Sequence, residues 1–200
     1  MEENKNNNQI EQSPTSTAKT IGSFVWDLVK ILVIALVIIV PFRMFIAEPF
    51  VVSGASMQPN YHNHDYLIID RLSYIKNSPE RGDVIVLKFP KDTSQFFIKR
   101  IIGLPGETVK VGQGFVTIYN SEHPEGFRLE ETYLPNQSET FGRTDEVRLG
   151  TSEYFVLGDN RTASSDSRVW GILPSNDIVG KVWARIYPFS TAGFFKAPNY

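Results

Sequence analysis

Hydrophobic and polar positions divide the chain into three stretches. Residues 1–20 begin Met-Glu-Glu-Asn-Lys-Asn-Asn-Asn-Gln-Ile and continue through Ser, Thr and Pro. With so little apolar surface to bury, they are expected to form a disordered tail. Residues 21–47 invert the pattern, and residues 31–42 carry no charge at all. That uncharged run is shorter than the roughly 20 residues needed to cross a bilayer. Its flanks extend it: Trp26 suits an interface, Asp27 and Lys30 stand about one turn apart and can pair, and Lys30 and Arg43 can snorkel towards headgroups. Counted over residues 24–45 the stretch is long enough for one transmembrane anchor, with Pro41 kinking its far end. A cleaved signal sequence and a soluble core helix are the alternatives. Ser53 and Ala55 are small residues two apart, as at a signal cleavage site, but the long tail with more acidic than basic residues is unlike a short positive n-region.

Beyond residue 50 short β-type runs alternate with Gly, Pro, Asn and Asp. Strands are expected over residues 66–69, 84–87, 96–98, 108–111, 115–118, 154–157 and 179–186. Gly112-Gln113-Gly114 reads as a hairpin and Leu104-Pro105-Gly106 as a turn. No long helical period interrupts the series, so the fold class is mainly β and mainly antiparallel, preceded by a single N-terminal helix. Residues 120–150 are more polar and form an excursion from the sheet; the β-rich domain as a whole spans residues 48–200.

Composition narrows the chemistry. The 200 residues are 42% hydrophobic and hold 20 basic and 22 acidic side chains, for a net charge of −2. That is enough for one core, and it gives no basic face for a nucleic acid partner. No cysteine is present, which removes thiol nucleophiles, disulfides and thiolate metal sites. His62-Asn63-His64-Asp65, with His123 far along the chain, reads as a polar loop leading into a strand rather than a metal site; no metal and no cofactor is expected. Asn136-Gln137-Ser138 and Asn160-Arg161-Thr162 match glycosylation acceptors, which matter only in a eukaryotic secretory setting.

Ser53-Gly54-Ala55-Ser56-Met57-Gln58-Pro59 and Phe97-Ile98-Lys99-Arg100 supply a hydroxyl and an amine. A serine is a poor nucleophile until a base takes its proton, and lysine is a base only when neutral. Lys99 is flanked by Phe96, Phe97, Ile98, Ile101 and Ile102, and burial there would disfavour its charged form. Strand alternation directs Phe97 and Lys99 to one face and Ile98 and Arg100 to the other, where Arg100 is expected in solvent. By itself this spacing does not separate catalysis from an ordinary solvated lysine and a turn serine.

Two further blocks, Arg81-Gly82-Asp83-Val84-Ile85-Val86 and Gly158-Asp159-Asn160-Arg161 through Ser164, Asp166, Ser167, Arg168, Trp170 and Gly171, complete an ordered set of four. Over residues 25–188 the chain resembles the type I signal peptidases, membrane-anchored Ser-Lys endopeptidases of the S26 class. The resemblance implies the β fold of the S24-S26 type, Ser56 as nucleophile, Lys99 as general base, Ser164 as the hydroxyl that orients the lysine, and the Ser56 backbone N–H as oxyanion donor. Some members add a serine two residues before the nucleophile; here that position is Gly54. Asn60 and Thr162-Ala163 also depart from the common pattern. Asp159, Arg161, Asp166 and Arg168 read as a loop held by its own charge-assisted hydrogen bonds; a triad role for Asp166 needs a histidine, and this block has none.

Preprotein signal peptides and the lipid bilayer are the implied partners, with cleavage after small residues at the first and third positions before the cut. The implied location is the cell membrane, single-pass, with the tail cytoplasmic and the β domain outside. Phe50, Val51, Val52 and Met57 are candidates for substrate or membrane contact, and Trp183 for lipid. Two other readings stay open: a self-cleaving repressor-type protease, which predicts a helix-turn-helix that the lipophilic N-terminal region lacks, and a membrane-tethered β domain that only binds peptides.

Overall fold

The computed structural model describes residues 15–41, 47–135, 138–142 and 145–198. They belong to two compact units, Met1–Phe42 and Arg43–Tyr200. The first unit contains α1 (Thr15–Pro41). Residues 15–20, expected to belong to the tail, lie in the helix, and Pro41 is its last described residue; residues 42–46 at the anchor's far end, where the kink was expected, lie outside the described residues, as do residues 1–14 of the tail. Within α1, Ile21–Val40 is apolar and none of it is buried. At 1.5 Å per residue these 20 residues run about 30 Å, the thickness of a bilayer's hydrocarbon core. Asp27 and Lys30 pair at 3.1 Å.

The second unit is built on two antiparallel sheets. The strands are β1 (Ala47–Val51), β2 (Tyr66–Asp70), β3 (Val84–Phe89), β4 (Asp92–Gly103), β5 (Thr108–Gly112), β6 (Phe115–Tyr119), β7 (Phe127–Arg128), β8 (Val147–Arg148), β9 (Glu153–Leu157), β10 (Leu173–Pro174), β11 (Ile178–Tyr187) and β12 (Gly193–Phe194), with short helices α2 (Ser73–Lys76) and α3 (Ser167–Trp170). One sheet runs β1-β2-β11-β3-β4-β9-β10 with β12 added on β11; the other runs β7-β6-β5-β8. In the second sheet alternate residues point inward, so Val109, Val111, Val116 and Ile118 join Phe155 and Leu157 in one core. The expected hairpin closes it. Gly112 pairs with Phe115, and Gln113 and Gly114 both take positive φ (54° and 87°), the backbone of a tight turn matched to strand twist. The polar excursion is not outside the sheets altogether: β7 and β8 lie within it and extend the second sheet.

β4 positions the site. It lies between β3 and β9, with Lys99 opposite Ile85 and Arg100 opposite Val84. Its first residues are exposed, and from Lys99 to Gly103 both faces are covered. Arg100, expected in solvent, is therefore buried, at 6% exposure. Alternation tells which residues share a face, but cannot tell whether the second face is covered.

Candidate active site

Ser56 sits in a loop that leaves β1 and returns at β2. The loop is closed at its base by Val52 N–H donating to Asp65 O (2.9 Å) and His64 N–H donating to Val52 O (2.9 Å). Gly54 takes φ +98°, a conformation that side-chain-bearing residues rarely adopt, and its N–H donates to Asn63 Oδ1 (2.9 Å). That N–H is thus committed within the loop, and position 54 offers no side-chain hydroxyl. The histidine-rich stretch serves the same loop: Asp65 accepts from His62 N–H (2.9 Å) and pairs with Arg185 at 2.7 Å.

Lys99 Nζ donates to Ser56 Oγ at 2.9 Å and to Ile98 O at 2.8 Å. The lysine is 3% exposed and lies opposite the wholly buried Ile85 on an apolar face. Desolvation pushes its pKa down to about 8, against the charges of Asp166 and Asp159, which act to raise it. A cavity of about 250 Å³ opens beside the pair and is lined largely by apolar side chains, among them Phe50, Val51, Val52, Val86 and Ile98. Met57 does not belong with them. It is 1% exposed and packs with Tyr61, Leu67 and Val84 in the core, so the expected contact with substrate or membrane is corrected to core packing: its side chain anchors the loop from below. Trp183 is half exposed and packs on Phe194 at 4.9 Å between ring centres.

The four charged residues of the last block do not bind one another as one group. Asp166 does bind Arg168 locally (Nε 2.8 Å, Nη2 2.8 Å) and accepts from Gly158 N–H (3.0 Å). Burial opposes its charge, yet these donors prevail and hold its carboxyl below the usual range. Asp159 and Arg161 turn outward instead. Asp159 receives a two-pronged bond from Arg100 (Nε 2.8 Å, Nη2 2.6 Å), and Arg161 pairs with Glu131 at 2.5 Å and donates to Gly158 O (3.0 Å). Their partners come from elsewhere in the chain: β4 brings Arg100 to Asp159, and the polar excursion brings Glu131 to Arg161.

Ser164 lies against Gly158, where an added Cβ would fall 2.2 Å from Ser164 Oγ and 2.4 Å from Ser56 O. Only glycine lets the two segments approach so closely. Ser164 Oγ is buried and, among the described residues, makes no hydrogen bond of ordinary geometry, although it is near enough to Asp166 to help lower that carboxyl's pKa.

Several site residues escaped the sequence reading. Arg100 was assigned to solvent, yet it binds Asp159 and Gly82 O (2.8 Å) and stands over the Tyr133 ring at 3.9 Å. Asn60, visible only as a departure from a pattern, donates to Asp159 Oδ2 (2.8 Å) and Tyr133 O (3.0 Å). Asn160, present in the fourth motif block and as a glycosylation match but given no role, donates from Nδ2 to Ala55 O (3.1 Å), and its N–H donates to Ser56 O (3.0 Å), so its amide is already engaged. The other match begins at Asn136, outside the described residues. One signal was present: Lys99 and Arg100 are followed by Ile101 and Ile102, apolar at both parities, the mark of a strand covered on both faces.

A hydroxyl and an amine in contact beside an open cavity, on a β scaffold, are the minimal equipment of a serine hydrolase. Residues 25–187 match the family described as signal peptidase, peptidase S26, and the chain belongs to that family; it is a serine peptidase. A probable signal peptidase I-1 from Synechocystis sp. is 36% identical over 177 residues, covering 85% of this chain and 86% of that protein. A signal peptidase I from Leptolyngbya laminosa is 34% identical over 192 residues, covering 92% and 91%. A solved signal peptidase I from Enterococcus faecalis V583 is 30% identical and covers 53% of this chain and 97% of its own, with a TM-score of 0.44.

Two stability predictions follow from the geometry. Asp159→Ala leaves the buried Arg100 charge unpaired and is expected to destabilise the protein by about 3–5 kcal/mol, read as a large fall in the thermal midpoint of the detergent-solubilised protein; an unchanged midpoint contradicts the pairing. For Lys99 the folded pKa of about 8 lies below the free value of 10.5, so the unfolded chain binds more protons between these values and stability rises with pH across that window. Below about pH 8 the full cost, on the order of 3 kcal/mol, is present. Lys99→Met should therefore raise the midpoint at pH 7 and should lose most of that advantage near pH 10.5.

Proposed function

We propose that this chain is a signal peptidase I that cuts exported preproteins after their signal peptides, with Ser56 as nucleophile and Lys99 as general base. The observation that carries the reading is the 2.9 Å bond between Lys99 Nζ and Ser56 Oγ in a chain of the S26 family. Residues 21–47 are the membrane anchor, residues 1–20 a cytoplasmic tail, and residues 48–200 an extracytoplasmic catalytic domain. Family membership and the length of the apolar helix support that arrangement. Phe50, Val51 and Val52, which line the cavity beside Ser56, contact the signal peptide, and small residues are preferred at the first and third positions before the cut.

In the forward step, neutral Lys99 takes the Ser56 proton as Oγ bonds to the scissile carbonyl carbon. The carbonyl electron pair moves onto oxygen, which rests on the Ser56 N–H. The intermediate collapses with loss of the C–N bond, and Lys99 returns the proton to the departing amine. Water then attacks the acyl carbon, giving a proton to Lys99; the ester bond breaks and Ser56 recovers a proton. Ser164, a buried hydroxyl without another bond among the described residues, takes the role of acceptor for the lysine in its charged form. Asp159, Arg161, Asp166 and Arg168 support the site without touching the reacting atoms.

The direct test incubates the detergent-solubilised protein with a preprotein and sequences the new N-terminus, which is expected to follow a small-x-small site. Ser56→Ala and Lys99→Ala should each reduce cleavage about 10³-fold or more with the fold retained; wild-type cleavage by either variant sinks the assignment. Protonated Lys99 cannot accept a proton, so kcat/KM should rise with pH through a midpoint near 8 and then level off. A serine-directed acylating probe should label Ser56 and fail in Lys99→Ala; peptide binding without labelling would indicate a tethered binding domain.

A further inference from the structure

Asn160 holds two successive peptide groups around Ser56. Its backbone N–H donates to Ser56 O (3.0 Å), and its side-chain Nδ2 donates to Ala55 O (3.1 Å). The amide orientation is fixed by its other end, since Oδ1 accepts from Ala163 N–H (3.2 Å) and from the Thr162 hydroxyl (3.1 Å). An N–H can only meet the oxygen, so the nitrogen must face Ala55.

Ala55 C=O and Ser56 N–H belong to the same peptide unit. That unit is planar and trans, so its carbonyl and its N–H point in opposite directions and cannot turn independently. Whatever fixes Ala55 O thereby aims Ser56 N–H. Ala55 O also accepts from Gln58 N–H (3.2 Å), but Gln58 lies in the same loop and moves with it. The Asn160 bond ties the peptide to the segment that carries Asp159, which is itself bound to Arg100, the neighbour of Lys99. With Gly54 N–H spent on Asn63, aim at the Ser56 N–H matters more here than where a serine hydroxyl adds a second donor.

We propose that Asn160 is a positioning residue that orients the Ser56 N–H towards the oxyanion; this rests on the reading of Ser56 as nucleophile. Its side chain touches no reacting atom. It acts through the peptide plane, so its loss affects the charged tetrahedral species more than the bound peptide.

The test compares the full-length detergent-solubilised wild type with Asn160→Asp and Asn160→Ser. The aspartate keeps the shape and the acceptor for Ala163 and Thr162, and sets an oxygen against Ala55 O in place of the donor. The serine variant keeps a small polar side chain and covers the case in which the aspartate protein fails to fold. In the variant that folds, kcat should fall about 10–100-fold, less than the roughly 10²–10³ for deleting an oxyanion donor outright. KM should stay within about twofold, and the midpoint of the pH-rate limb should stay near 8. Affinity for a peptide boronate, which forms a tetrahedral adduct on Ser56, should fall in parallel with kcat, and affinity for an uncleavable peptide of the same sequence should not. An unchanged kcat, a shifted midpoint, or equal losses for boronate and uncleavable peptide each overturn the inference. Wild-type cleavage by Ser56→Ala would instead remove the reading on which it stands, and the Ser56→Ala control separates the two failures.

Discussion

The ion pair between Arg100 and Asp159 joins the two halves of the site. Arg100 follows Lys99 on a central strand; Asp159 precedes Asn160, which grips the loop of Ser56, and Asn60 from that same loop reaches back to the Asp159 carboxylate. Lys99 and Ser56 come from chain segments 43 residues apart, so loop closure alone leaves them free to drift. A two-pronged guanidinium–carboxylate bond is directional as well as strong. Buried pairs of this kind contribute little net stability compared with apolar packing, but they cannot be broken cheaply from one side. Their value here is geometric, because they hold a 2.9 Å contact between two side chains that have no covalent connection nearby.

A second constraint pulls against stability. Lys99 has to be neutral to work as a base, and the only force lowering its pKa is removal from water; both nearby carboxylates, Asp166 and Asp159, act the other way. Those carboxylates are kept from neutralising the effect by their own partners, Arg168 and Arg100. The site thus combines a buried amine that would be cheaper as methionine with two acids that are already satisfied. Local destabilisation concentrated at a reactive group, offset by packing elsewhere, is the usual form of a stability–activity trade.

Much of the architecture was legible in the chain. The apolar stretch, the alternating runs and the Gly112-Gln113-Gly114 turn report local rules of period and backbone freedom, and these survive into the fold. The four motif blocks brought Ser56, Lys99 and Ser164 into view by resemblance. What escaped was whatever depends on coverage by distant segments. Arg100 looked solvated because alternation assumes one wet face. Met57 could be read from sequence as a core side chain or as a substrate or membrane contact, and only packing decides for the core. The outward pairings of Asp159 with Arg100 and of Arg161 with Glu131 cross 59 and 30 residues of sequence, and nothing in local spacing could select them over pairing within the loop.

We infer that burial on β4 makes Lys99 a usable base near neutral pH. Its side chain can be titrated directly by NMR in the detergent-solubilised protein with carbon-labelled lysine, the resonance being identified by its loss in Lys99→Met. A midpoint near 8 is expected; a midpoint near 10.5, the value of a lysine in water, would mean that burial does not neutralise Lys99.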